Sequence, residues 1–75
     1  MEQHLWDEIN RYCVRFHSSL KDDALFAQTL ANACRNLPFV ELQELFNRLP
    51  ENCTLSEKIG VIIRTHSAEH EQEHM

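Results

Sequence analysis

Apolar residues recur at intervals of three and four along most of this chain, and this spacing constrains the fold more than any other feature. At about 100° per residue, residues with this spacing share one side of an α-helix. The first segment shows the pattern within an arc of about 120°, the width of a core-facing stripe, and its members are Leu5, Trp6, Ile9, Tyr12, Cys13, Phe16 and Leu20. We predict an amphipathic helix over about residues 3–19.

A second and a third helix follow from the same spacing. The second is predicted over about 21–36, with Ser19 and Asp22 as an N-terminal capping pair. Pro38 disfavours helical geometry in the residue before it and suits a first helical turn, so the third helix is predicted over about 38–49, up to the next proline. The apolar stripes of these two helices are Phe26, Ala27, Leu30, Ala33, Cys34 and Leu37, then Phe39, Leu42, Leu45, Phe46 and Leu49.

A fourth helix is predicted over about 55–70. Thr54 and Glu57 have the spacing of a capping box, in which each side chain accepts a hydrogen bond from the backbone N–H of the other residue. Gly60 lies either inside this helix or at a turn. Inside a helix it costs about 1 kcal/mol relative to alanine, and close packing of a neighbouring helix is the usual compensation.

Short connections make consecutive helices neighbours. We therefore predict an all-α fold, a small bundle of four helices with short loops. It forms one domain over residues 1–70, followed by a frayed polar tail over 71–75. A three-helix bundle and an open pair of helical hairpins are the structural alternatives. No segment shows the alternating pattern of a strand.

Charge and composition limit the partners. The chain has 7 Lys and Arg against 12 Asp and Glu, a formal net charge of −5 at pH 7, so nucleic acids and anionic membranes would on average repel it. No apolar run approaches the ~20 residues of a membrane helix, and the first residues do not form a secretory signal. We expect a cytoplasmic protein that binds neither membranes nor, in general, nucleic acids.

The three cysteines include no CxxC pair, so neither a zinc ribbon nor a disulfide scaffold is predicted. Cys13 and Cys34 lie on apolar helix faces, where a free thiol acts as a small hydrophobic group. Cys53 lies in the predicted loop between the third and fourth helices. We expect it to be the most exposed of the three.

Each predicted helix has one large apolar residue outside its main stripe, and these residues are Val14, Leu25, Val40 and Val61. A chain this short buries only about 60% of its unfolded surface, and that burial barely offsets the entropy of ordering the chain. Further burial through association would stabilise the fold. We therefore predict a second contact surface that uses some of these residues. Trp6 is a candidate aromatic anchor for it, although Trp6 also belongs to the first core stripe.

Three histidines near the C-terminus, His66, His70 and His74, recur every four residues, which places them one turn apart on one side of a helix. Such a pair can bind Zn²⁺, Ni²⁺ or Cu²⁺. The segment nevertheless has no cysteine ligand and no apolar shell to orient the imidazoles. We treat these residues as weak metal candidates, predict no resident metal or cofactor, and expect a solvated helix end.

No catalytic or phosphate-binding motif occurs, because the chain has one glycine and none of the GxSxG, HExxH or Walker patterns. We expect neither enzymatic activity nor a small-molecule substrate. The segment from Leu55 to Val61 weakly resembles a helix-turn-helix motif, with Gly60 in the turn and Arg64 on the reading helix. That interpretation requires a turn at Gly60.

The main functional prediction is a small helical protein–protein interaction module that forms a homodimer or binds a protein partner. Adapter, regulator, inhibitor and chaperone-like subunit are all roles of this kind. The alternatives are a helix-turn-helix regulator that binds nucleic acid and a metal-responsive helical protein.

Overall fold

A computed structural model describes residues 2–19 and 22–73 of the chain, with side chains as far as residue 68. These residues form four helices: α1 (Gln3–Ser19), α2 (Ala24–Cys34), α3 (Phe39–Arg48) and α4 (Thr54–Glu73). No strand occurs in this part of the chain. The predicted all-α bundle of four helices is confirmed. None of the described helices is long and apolar enough to cross a membrane.

Helix α2 packs against both α1 and α4, whereas α3 packs against α4. Phe26 near the start of α2 lies beside Tyr12 in the second half of α1, so these two helices are antiparallel. Phe39 at the start of α3 lies beside His66 in the second half of α4, so this pair is antiparallel too. The main partner of α2 is therefore α4, and not α3, the next helix in sequence.

The core is built mainly from the stripes that the periodicity predicts, but the prediction is wrong for Ala33 and Phe39, which are exposed. Ala31 is buried in place of Ala33, because it lies four residues after Ala27 and nearer the centre of the buried side of α2. Helix α2 contributes Ala27, Ala31 and Cys34, whose small side chains let the helices on either side approach closely. The buried apolar residues are Ile9, Tyr12, Ala27, Leu30, Ala31, Cys34, Leu42, Leu45, Leu49, Cys53, Leu55 and Ile59. All four helices thus bury part of their surface in one cluster.

Helix α2 begins at Ala24, later than predicted, and its N-cap is Asp23. The Asp23 side chain accepts a hydrogen bond of 3.0 Å from the Phe26 backbone N–H. The predicted capping pair of Ser19 and Asp22 is therefore wrong. Ser19 instead donates its hydroxyl to the Arg15 carbonyl oxygen, 2.9 Å away. Leu20 and Lys21, which the prediction assigned to the first stripe and to the start of the second helix, lie outside the described residues.

The start of α4 also differs from the prediction. The Cys53 thiol donates to the Pro50 carbonyl oxygen at 3.2 Å, and its sulfur accepts the Ser56 backbone N–H at 3.3 Å. Cys53 is therefore a buried helix cap, and the expectation that it is exposed is wrong. Thr54 and Glu57 do not form the predicted capping box, because another residue accepts the Thr54 donors.

At its other end, α4 continues to Glu73, beyond the predicted end at residue 70. The frayed tail over 71–75 stays a prediction. His74 and Met75 lie outside the described residues.

The residue that accepts the Thr54 donors is Asp22, in the connection between α1 and α2. The Thr54 backbone N–H and hydroxyl both donate to Asp22 Oδ2, the backbone bond measuring 2.5 Å, and the Tyr12 hydroxyl donates to Asp22 Oδ1. A carboxylate suits this place, since the N-terminus of a helix carries partial positive charge and unpaired N–H groups. One side chain thereby joins α1, α2 and the start of α4.

The pKa values of this cluster are shifted by its hydrogen bonds and burial. Desolvation by burial, followed by the hydrogen bond to Asp22, raises the pKa of Tyr12 well above its ordinary value of 10.0. Desolvation on its own would raise the pKa of Asp22, but the hydrogen bonds from Thr54 and Tyr12 outweigh it and hold the pKa below 3.8. The folded state thus favours the carboxylate and the neutral phenol.

We predict that Asp22→Asn lowers the free energy of unfolding by about 1–3 kcal/mol, because the amide cannot accept all three hydrogen bonds and has no charge to place at the start of α4. The matched control is Asp7→Asn. Asp7 lies on the exposed surface of α1 and accepts one hydrogen bond from Gln3, so the loss there should be within about 0.5 kcal/mol. Urea unfolding measures both, and equal losses would contradict the role given to Asp22.

We also predict that stability falls at both ends of the pH range. The lowered pKa of Asp22 contributes stability above about pH 4, which is lost as pH falls through the folded-state pKa. The raised pKa of Tyr12 contributes stability below about pH 10, which is lost as pH rises through the folded-state pKa. The free energy of unfolding, measured with urea at a series of pH values, should be constant between about pH 4 and about pH 10. In Asp22→Asn the free energy of unfolding should fall less steeply at acid pH. In Tyr12→Phe it should fall less steeply at alkaline pH. If neither variant changes the pH dependence of the free energy of unfolding, the roles given to Asp22 and Tyr12 are wrong.

Candidate functional site

An open groove of about 810 Å³ lies between α3 and α4. Its apolar residues are Phe46 of α3 and Gly60, Val61 and Ile63 of α4, and we call this feature the α3–α4 groove. Phe46 is 40% exposed and Val61 is 53% exposed. The polar residues around it are Gln43, Asn47, Glu51, Ser56, Glu57 and Arg64. Exposed apolar groups are thus surrounded by charged and amide groups.

Gly60 shapes this groove. It lies inside the continuous helix α4, and a Cβ atom built on it would lie 3.4 Å from Phe46 Cε2. The Phe46 ring therefore packs against the α4 backbone, where a side chain larger than that of alanine would displace it. This is the close helix packing that a glycine within a helix predicts. Because α4 does not turn at Gly60, the helix-turn-helix interpretation loses the turn on which it depended.

The four apolar residues predicted outside the core stripes are all exposed. The exposed fractions are 64% for Val14, 79% for Leu25, 65% for Val40 and 53% for Val61. Each lies on the side of its helix roughly opposite the buried stripe. Val61 borders the α3–α4 groove, whereas the other three do not line it. Val61 is thus the member of this set that lies at the α3–α4 groove.

Trp6 already has partners within the molecule. Its side chain is half-buried against the core, and the Arg48 guanidinium lies 5.2 Å from the centre of its ring. This contact joins α1 to α3 by a cation–π interaction. Glu41, Glu44 and Leu45 complete a shallow recess there. Its use as an anchor for a partner stays a prediction.

Of the three histidines near the C-terminus, His66 is the one whose side chain the structure describes. His66 is half-buried, and its ring centre lies 6.4 Å from that of Phe39. The side chain of His70 and the whole of His74 lie outside the described part of the chain. Within that part, no group of three or more His, Cys, Asp or Glu residues is placed to hold a metal ion. The weak metal candidates stay a prediction.

All three cysteines are free thiols, and burial determines the chemistry of two of them. Desolvation raises the pKa of Cys34 to about 11, and that of Cys13 is raised mainly for the same reason. Both groups are therefore thiols at neutral pH, the form that reacts poorly as a nucleophile. Cys34 is fully buried and Cys13 half-buried, so their predicted role as small hydrophobic groups agrees with their positions.

Sequence reasoning missed two residues that matter here, Phe46 and Asp22. Phe46 was assigned to the core stripe of the third helix, yet it lies at the edge of that stripe and covers only part of Gly60. A glycine inside a capped helix was the available signal, because it indicates that a neighbour lies close. Asp22 gave no such signal, since its partner Thr54 is 32 residues away along the chain.

We predict that Gly60→Ala raises the free energy of unfolding by about 0.5–1 kcal/mol through helix propensity. The added methyl would make an ordinary van der Waals contact with Phe46 Cε2 at 3.4 Å. Ser67→Ala, at an exposed position of the same helix, is the control and should give a smaller gain. Urea unfolding at low protein concentration measures both. A loss of stability in Gly60→Ala would show that the Phe46 ring has no room to accommodate the methyl.

We compared the chain with protein-family models, curated proteins and solved structures, and none of them matches it.

Proposed function

We propose that this protein is a small interaction module that binds another protein through the α3–α4 groove. Adapter, regulator, inhibitor and chaperone-like subunit are roles that such a module performs. The observation that supports the proposal is the pairing of two large exposed apolar side chains, Phe46 and Val61, beside the gap left by Gly60.

The energetics support binding at this place. Fully burying a side chain such as Val or Phe contributes about 1.5–3 kcal/mol, so Phe46 and Val61, each exposed over about half its surface, would contribute roughly 1 kcal/mol apiece in an interface. Protein interfaces commonly have an apolar centre and a polar rim. The groove has this arrangement, with Gln43, Asn47 and Glu57 among its rim residues.

Charge favours a protein partner over nucleic acid. The rim includes Glu51 and Glu57 against one cation, Arg64. A phosphate backbone would meet net negative charge both here and on the chain as a whole, whose formal charge is −5. We include a cytoplasmic location in the proposal, which the three free cysteines support because a reducing compartment preserves thiols.

The test uses a photo-reactive benzoylphenylalanine placed at position 61, with position 40 as the matched control. Val40 is also an exposed valine, at 65% against 53% for Val61, but it does not line the groove. We expect irradiation in the native lysate to give protein cross-links from position 61 that are several-fold stronger than those from position 40. A further change, Phe46→Glu, should weaken them. Equal labelling from the two positions would overturn the proposal.

A further inference from the structure

The outward side of α4 carries a stripe of exposed residues. Glu57, Val61, Arg64 and Ala68 follow one another at intervals of four, three and four, so they share one side of the helix. Leu55 and Ile59 are buried on the other side of α4. We call the four exposed residues the outer stripe. Neither the Glu57 nor the Arg64 side chain makes an ion pair with any residue that the structure describes.

The charges of the outer stripe are arranged symmetrically about its centre. Glu57 and Arg64 lie seven residues apart, roughly two turns of helix, and the point midway between them falls between Gly60 and Val61. In a two-fold dimer each residue contacts a counterpart reciprocally. If two copies of α4 cross antiparallel at this point, Glu57 of each copy lies opposite Arg64 of the other. Both charges then lie beside a charge of opposite sign.

The apolar residues occupy the centre of the same arrangement. At the two-fold axis, Val61 of one copy lies across Gly60 of the other, next to the Phe46 ring that packs 3.4 Å from the Cβ position of that glycine. Phe46, beside Gly60 at the wall of the groove, would cover the incoming valine. Burial of these groups would supply affinity, while the two exposed ion pairs would contribute little affinity but fix the direction of the helices.

We propose that the partner of the α3–α4 groove is a second copy of this chain, paired two-fold and antiparallel through the outer stripe of α4. This inference rests on the proposed function and names the partner at the same surface. The symmetric placement of Glu57 and Arg64 about Gly60 and Val61 is the observation that selects a second copy, since an unrelated partner would not require it.

The test exchanges the two charges. Sedimentation equilibrium of the purified chain, from about 1 to about 300 µM, should show a monomer–dimer equilibrium that weakens with added salt. Glu57→Arg and Arg64→Glu should each weaken dimerisation by about tenfold or more, because each places like charges opposite one another. An equimolar mixture of the two variants should dimerise again, since every contact between them joins opposite charges. The double variant E57R/R64E should also regain dimerisation.

Matched controls separate this effect from changes in net charge or folding. Glu2→Arg, at the exposed residue before α1, and Arg11→Glu, on the exposed side of α1, make the same reversals away from the groove and should leave the dimer affinity within about twofold. Circular dichroism of every variant checks that the helices are intact. The restored mixture is itself a control, because two unfolded variants would not dimerise on mixing.

Two results would overturn the self-pairing. One is a monomer throughout the concentration range, and the other is a dimer that the charge reversals do not weaken or that mixing does not restore. If the purified chain is monomeric while position 61 still cross-links to a different protein, the self-pairing falls and the proposed function stands. If position 61 also gives no cross-link above the control, both fall.

Discussion

The carboxylate of Asp22 is the contact on which the arrangement of the helices most depends. It accepts the Tyr12 hydroxyl from α1 and both Thr54 donors from the start of α4, while Asp23 beside it caps α2. These hydrogen bonds determine where α4 begins relative to the α1–α2 hairpin. Because the cap of α4 is Cys53, a buried thiol, the same region leaves few backbone donors unpaired at the helix start. The position of α4 then determines which residues meet α3.

The α3–α4 groove is a consequence of the position of α4 relative to α3. With α3 antiparallel to α4, Phe46 lies against Gly60, and the absent side chain leaves the aromatic ring only partly covered. A larger residue at position 60 would fill the groove. The stability that alanine would add to α4 is thus absent at a place where the two helices leave apolar surface open. The groove exists without any movement of the core, because the residues that line it belong to helices that the core already holds.

Helix α4 has different chemistry on its two sides, so this short chain completes its core with one side of the helix and presents the other side to solvent. Leu55 and Ile59 complete the core, while the outer stripe combines one apolar residue with two charges of opposite sign. Apolar contact contributes affinity without direction, and ion pairs contribute direction with little affinity. A stripe with Val61 between Glu57 and Arg64 joins the two properties within about two turns of helix.

The sequence by itself determined the number of helices, their approximate bounds, and most of the residues that face inward, because periodicity and proline act over a few neighbouring residues. It placed Ala33 and Phe39 in the stripes, although both are exposed. It also indicated that Val61 is exposed and that Gly60 has a close neighbour. Only the tertiary structure decided that Asp22 accepts from Thr54, that Cys53 is buried, and that Phe46 lies at the edge of a groove. These are contacts between different helices or within a turn that they enclose, and their geometry depends on how the whole bundle packs.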